Sequence, residues 1–210
     1  MIDKITYGTL INYSPRGSSD LSIKSRQACG GIKHCKPAYI KNITDSLRRE
    51  ESKPLHEMLN MDRVLVPIPR SGLLKEDTIW PSYIIAEQLV AGGFGKSVET
   101  VLARYKAIRK SSQQFSAKDR PSVDEQLDSL IINDQLFYHK KITLVDDVLT
   151  MGRTAFACAQ KIHEAYPDAE VSLFSAVRTQ GLIENVAAIY DPSVGTIKYN
   201  DTTGLTNRQP

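Results

Sequence analysis

The stretch Lys141-Ile142-Thr143-Leu144-Val145-Asp146-Asp147-Val148-Leu149-Thr150-Met151-Gly152-Arg153-Thr154 constrains the fold of this chain more than any other. Ile142 to Val145 is an apolar run, rich in β-branched side chains and too short for a helix, which predicts a buried strand of a parallel sheet. Two adjacent carboxylates, Asp146 and Asp147, stand at its carboxyl end, and a small Thr/Gly/Thr loop follows. From Ala155 to Tyr166 apolar residues recur at 155, 158, 159, 162 and 165, which is helical spacing. The order strand, acidic pair, polar loop, helix predicts a site, because ligands of open α/β sheets bind at the carboxyl ends of the strands. A helix N-terminus offers a phosphate unpaired N–H groups and the positive end of a dipole. The acidic pair suits sugar hydroxyls or a bound cation. Phosphate and hydroxyls together describe a ribose 5-phosphate. An ordinary strand–loop–helix whose carboxylates cap the helix stays open as the alternative.

Residues Leu144 to Thr154 resemble the PRPP-binding signature of type I phosphoribosyltransferases: four apolar residues, two acids, two more apolar residues, then a Gly-containing loop ending in Thr. PRPP is 5-phosphoribosyl 1-pyrophosphate. The resemblance implies an α/β fold, a central mostly parallel sheet flanked by helices with an N-terminal hood-like addition. It divides the chain into a hood over 1–60, a phosphoribosyltransferase-like core over 61–200 and a flexible tail over 201–210. Asp146 and Asp147 become the catalytic pair, accepting hydrogen bonds from the ribose hydroxyls and stabilising an oxocarbenium-like sugar. Thr150, Met151, Gly152, Arg153 and Thr154 enclose the 5-phosphate. Magnesium is the implied cofactor, held mainly by the ligand and water, with Asp146 and Asp147 acting only indirectly.

A second strand is predicted at Val64 to Ile68, ending in the turn Pro69-Arg70-Ser71-Gly72. A guanidinium, a hydroxyl and a glycine at a strand end make an oxyanion cradle; a surface turn with a solvated Arg is the alternative. The turn occupies the position of the family's pyrophosphate loop. Val98 to Tyr105 is predicted as another strand, delivering Arg104, Lys106, Arg109 and Lys110 to the same edge of the sheet. Arg104 and Lys106, with Arg70, are the residues expected to take the leaving pyrophosphate. Ser111 to Asp134 is long and polar, and the resemblance implies a mobile loop there. Arg104, Gln114, Ser116, Arg120 and the acid-rich segment from Val123 to Leu130 look narrower still, like the ComF group. The four-cysteine zinc ribbon usual in that group is absent.

The chain has 210 residues, 41% hydrophobic and 24% charged, with a net charge of +3. That balance fits a globular domain and an anionic ligand without demanding nucleic acid. With no membrane span and no signal-peptide core, a soluble cytoplasmic protein is the expectation. Cys158 reads as core; Cys29, His34 and Cys35 leave a zinc site open as a minor alternative. Ile2 to Asn12 suggests a strand or hairpin, Tyr39 to Met61 a helix interrupted at Pro54, and Thr78 to Val90 a helix with Pro81 in its first turn. Glu170 to Arg178 reads as a parallel strand, Leu182 to Tyr190 as a short helix or strand, and Val194 to Tyr199 as an edge strand. The implied partners are PRPP and an unidentified acceptor. A homodimer is admitted, and the basic run Lys24 to Lys41 leaves a nucleic acid or protein partner open. Three function classes follow: a phosphoribosyltransferase, a PRPP or nucleotide sensor without chemistry, or an accessory protein in DNA uptake, recombination or defence. Hypoxanthine-type relatives carry an Asp where this chain has Thr150, which disfavours a 6-oxopurine acceptor.

Overall fold

The computed structural model describes residues 2–74, 77–109, 120–133, 139–181 and 184–210. Val64–Pro67 (β2) and Lys141–Leu149 (β6) pair in parallel, from Val64 opposite Ile142 to Pro67 opposite Val145. Glu170–Thr179 (β7) lies parallel on the other side of β6, and the two-residue Ser97–Val98 (β3) lies beyond β2. Lys4–Tyr13 (β1) pairs parallel with β7, Tyr190–Asn200 (β8) antiparallel with β1, and Leu205–Gln209 (β9) antiparallel with β8. The sheet is therefore mixed but mostly parallel, in the order β3-β2-β6-β7-β1-β8-β9.

Helices cover both faces, and strand alternation divides the apolar side chains between two cores. Val64, Val66, Ile142, Leu144 and Leu173 meet Phe156 and Ile162 of Arg153–Ala165 (α5). Leu65, Val145 and Phe174 face the opposite way, toward Asp20–Lys33 (α1), Pro37–Leu47 (α2) and Pro81–Ala91 (α3). This is why β2 and β6 read as unbroken apolar runs: burial on two faces leaves no position for a polar alternate. The polar exception, Thr143, donates from Oγ1 to Met58 O at 2.6 Å. Arg63, also buried, donates to Glu57 O and Ile142 O and pairs with Glu170, clasping the start of β6 to β7.

Several sequence expectations change. Residues 1–60 are not an appendage, because β1 lies inside the sheet between β7 and β8. Residues 201–210 are not a loose tail: β9 adds a strand, and Thr206 is 4% exposed. Val194 to Tyr199 belongs to β8, which β9 removes from the edge. The predicted strand Val98 to Tyr105 splits. Ser97–Val98 joins the main sheet, and Leu102–Arg104 (β4) pairs antiparallel with Leu130–Ile132 (β5) in a separate ribbon. Tyr39 to Met61 divides into α2 and a 3₁₀ helix, Glu50–Glu57, which accommodates Pro54. Within the long polar stretch, Val123–Leu127 (α4) is fixed by a reciprocal Ser122–Glu125 capping box. Lys110, Gln114, Ser116 and Leu182 lie outside the described residues.

Deleting residues 1–13 is expected to abolish the cooperative thermal transition seen by circular dichroism, since it exposes one edge of β7 and of β8. A fragment beginning at residue 61 that still unfolds cooperatively would contradict this arrangement.

Candidate functional site

Because β2 and β6 are parallel neighbours, their carboxyl ends open side by side, and a cleft of about 770 Å³ lies over them. Its floor is Ile68 to Ser71 after β2 and Asp146 to Ala155 from β6 into α5. Arg104 of β4, Ile108, Arg109, Arg120 and Gln126 form one wall, and Asp77 to Ile79 with Pro81 and Ser82 form another. Lys33 and His34, at the end of α1, complete the lining. The N-terminal segment thus reaches the site even though its strand belongs to the sheet.

The turn after β2 is anchored through its carbonyls. Ile68 O accepts from Trp80 Nε1, Arg70 O from Arg104 Nε, and Ser71 O from Ile108 N, each at 2.8 Å. The Arg70 guanidinium is less settled: its Nη1 is buried with no hydrogen-bond partner among the described residues. Arg104 is the converse. It is 8% exposed, and besides Arg70 O its donors reach Ser129 Oγ and, at 2.6 Å, Gln126 Oε1. Burial lowers this guanidinium from its usual range. Arg104 therefore braces the Arg70 turn, with its donor groups already engaged.

Asp146 Oδ1 accepts from Asp147 N at 3.0 Å and from Ser82 Oγ at 3.4 Å. The carboxylate opens on the cleft at one side but is otherwise closely packed by protein. That desolvation, with the Asp147 charge beside it, holds the Asp146 carboxyl well above the usual carboxylate range. Asp147 Oδ1 accepts from Val148 N at 2.9 Å.

At Gly152 the chain enters α5 with φ of 83°, a left-handed joint that glycine adopts without strain. A helix leaves its first-turn N–H groups without internal partners, and here those of Thr154 and Ala155 stand at the cleft. Arg153 Nη1 donates to Arg120 O at 3.0 Å, while the Nε atoms of both Arg153 and Arg120 are buried without partners among the described residues. Burial, together with the Arg120 charge, lowers the Arg153 guanidinium from its usual range. Lys33, Arg70, Arg104, Arg109, Arg120 and Arg153 line the cleft against three carboxylates, Asp77, Asp146 and Asp147. That imbalance suits a polyanion.

Of the residues singled out in the sequence, Asp146, Asp147, Thr150, Met151, Gly152, Arg153, Thr154, Pro69, Arg70, Ser71 and Arg104 share this cleft. Lys106 does not: it is exposed, lies over the Tyr105 ring, and lines a separate hollow beside Pro121 and Glu125. Gly72 follows the floor but is outside the lining. Lys33, His34, Ser82 and Gln126 were not foreseen at the site, and Arg120 was noted without a role. The Ser122-x-x-Glu125 spacing was a readable helix start that would have placed Gln126. No group of three or more His, Cys, Asp or Glu that could hold a metal occurs among the described residues. Burial pushes the Cys29 thiol up to about 11 and Cys158 to about 12, as expected for core thiols. No helix among the described residues is long and apolar enough to cross a membrane.

No family model matches the chain, and no curated protein does. Among solved structures, a crystal structure of a hypoxanthine phosphoribosyltransferase from Staphylococcus aureus is similar at 13% identity, with a TM-score of 0.39. The match covers 72% of this chain and 70% of the other. A likeness so distant carries no argument about activity, and nothing in these comparisons supports the narrower ComF-like reading.

Asp146 supplies a test of the site's electrostatics. A carboxyl whose folded pKa is raised stabilises the fold while protonated. That contribution is present below the unfolded value of about 4 and is lost as pH rises through the folded one. Asp146→Asn is expected to raise the unfolding midpoint of the ligand-free protein at neutral pH, with the gain vanishing near pH ~4. In calorimetry, each kcal/mol recovered reads as about 2–4 °C.

Proposed function

We propose that this chain is a phosphoribosyltransferase-like cytoplasmic protein that binds PRPP with magnesium and transfers its phosphoribose to an unidentified acceptor, releasing pyrophosphate. The observation that carries this reading is one cleft joining the amides of a helix start, an acidic pair whose Asp146 is desolvated, and guanidinium nitrogens buried without hydrogen-bond partners among the described residues. A phosphate monoester, vicinal hydroxyls and a second anionic group in one small ligand would satisfy all of them.

In this reading Thr150 to Thr154 hold the 5-phosphate through N–H groups and hydroxyls, with Arg153 adding charge. Asp146 and Asp147 accept hydrogen bonds from the ribose hydroxyls and offset positive charge developing at the anomeric carbon. The bond from that carbon to the pyrophosphate oxygen breaks, the electron pair leaves with pyrophosphate, and the bond to the acceptor forms. Arg70 receives the leaving anion, and Arg104 keeps the Arg70 turn in place. Magnesium would be held mainly by the pyrophosphate and water, with the hard carboxylate oxygens of Asp146 and Asp147 acting only indirectly. When bound, the ion supplies charge neutralisation to the pyrophosphate.

A second reading, a PRPP or nucleotide sensor without turnover, is favoured by Arg104, whose three nitrogens already donate to Arg70 O, Ser129 Oγ and Gln126 Oε1 and so leave fewer free N–H groups for the departing anion. Calorimetry with PRPP and magnesium tests both readings, and pyrophosphate release separates them. For an enzyme, Arg70→Ala is expected to lower kcat/KM by about 10²–10³-fold, about 2.7–4 kcal/mol at the transition state. Hypoxanthine and guanine are expected to be poor acceptors because Thr150 carries no carboxylate; efficient pyrophosphate release with either would reverse that expectation.

A further inference from the structure

Strand β9 contributes nothing to the cleft lining, yet it holds the loop on which the proposed phosphate site depends. Thr206 Oγ1 donates to Met151 O at 2.8 Å, and Arg208 Nη1 to Leu149 O at 3.4 Å. The same guanidinium donates through Nη2 to Thr179 O, and Thr179 Oγ1 reaches Leu149 O at 3.5 Å. Alongside these bonds the loop rests on β8. A Cβ on Gly152 would meet Ile197 Cδ1 at 2.6 Å, and Ile197 is the cross-strand partner of Arg208. Tyr199, the partner of Thr206, stacks on Phe156 of α5 with centroids 5.2 Å apart. The loop thus touches β8 and β9 behind it and the cleft in front.

The carbonyls tied down belong to alternate peptide units. A trans peptide is planar, with its C=O and N–H directed oppositely. Holding Leu149 O from the β9 side directs the Thr150 N–H the other way, and holding Met151 O does the same for the Gly152 N–H. Gly152 has no Cβ and a left-handed φ, so little in its own conformational preference prevents the loop from turning over. An untethered loop would scatter its amides; a tethered one presents them together.

We propose that Thr206 and Arg208 are positioning residues for the phosphate loop, holding the Leu149 and Met151 carbonyls so that the Thr150 and Gly152 N–H groups face a phosphate monoester in the cleft. This inference rests on the phosphoribosyl reading above and deepens it: ligand affinity depends on a strand that the ligand never touches.

The test uses the full chain with ribose 5-phosphate as the probe, in calorimetry and by amide proton resonances. Thr206→Val, which removes the hydroxyl at nearly constant volume, is expected to weaken binding on the order of tenfold. Thr206→Ser is expected to restore it, and Arg208→Met to weaken it comparably. In the wild type, the Thr150 and Gly152 amide protons are expected to move downfield as ligand is added. Wild-type affinity in both Thr206→Val and Arg208→Met overturns the inference while leaving the phosphoribosyl reading intact. So do Thr150 and Gly152 resonances that stay in place while Thr154 moves, a result obtained on the wild type whether or not a variant folds. A wild-type chain that binds no ribose 5-phosphate overturns both.

Discussion

The parallel pairing of β2 with β6 is the constraint from which the site follows. Two parallel strands side by side must end at the same edge, and a single residue step separates their last pair from the functional turns. Pro67 lies opposite Val145, and Ile68 N carries the ladder one bond further, to Val145 O at 2.9 Å. Beyond that pair β2 gives way to Pro69, while β6 runs on through Asp146, opposite Ser175, to Leu149. The guanidinium of Arg70 and the carboxylates of Asp146 and Asp147 come together because two apolar quartets are in register. Everything else in the cleft is arranged around that edge: α3 brings Ser82, the β4–β5 ribbon brings Arg104, and the end of α1 brings Lys33 and His34.

The edge is built at some expense to stability. A half-buried, desolvated carboxylate beside another carboxylate, and three guanidinium groups each with a nitrogen lacking a partner among the described residues, are what a fold selected for stability alone would avoid. Their surroundings are satisfied to a high degree. The carbonyls of Ile68, Arg70, Ser71, Leu149 and Met151 are all hydrogen-bonded, those of Ile68, Leu149 and Met151 by residues outside the cleft lining. Rigid backbone with unsatisfied charge is the signature of preorganisation: the protein holds its polar groups in position before the ligand arrives.

How much was legible depended on how local the determinant was. The acidic pair, the Thr150 to Thr154 loop and the helix behind them could be read as structural elements because strand burial, helix spacing and a glycine joint are properties of adjacent residues. The Pro69-Arg70-Ser71 turn could be read because it repeats the same strand-then-polar pattern. Arg104 was located but its role was not, since three acceptors from two separate segments occupy its donors. Lys106 was grouped with it only by proximity in the chain; in the bend that follows β4 it is exposed and outside the cleft.

The termini mark where local reading stops. By itself the amino-acid sequence determined which segments become buried parallel strands and which strand end carries carboxylates before a helix, because these depend on residue order within a few positions. Tertiary structure alone decided that Lys4–Tyr13 enters the sheet between β7 and β8 and that Leu205–Gln209 pairs with β8, bringing Thr206 and Arg208 behind the Leu149 to Gly152 loop. A strand's partner is set by which edge remains open when it arrives, and that depends on the rest of the fold, not on the ten residues of the strand itself.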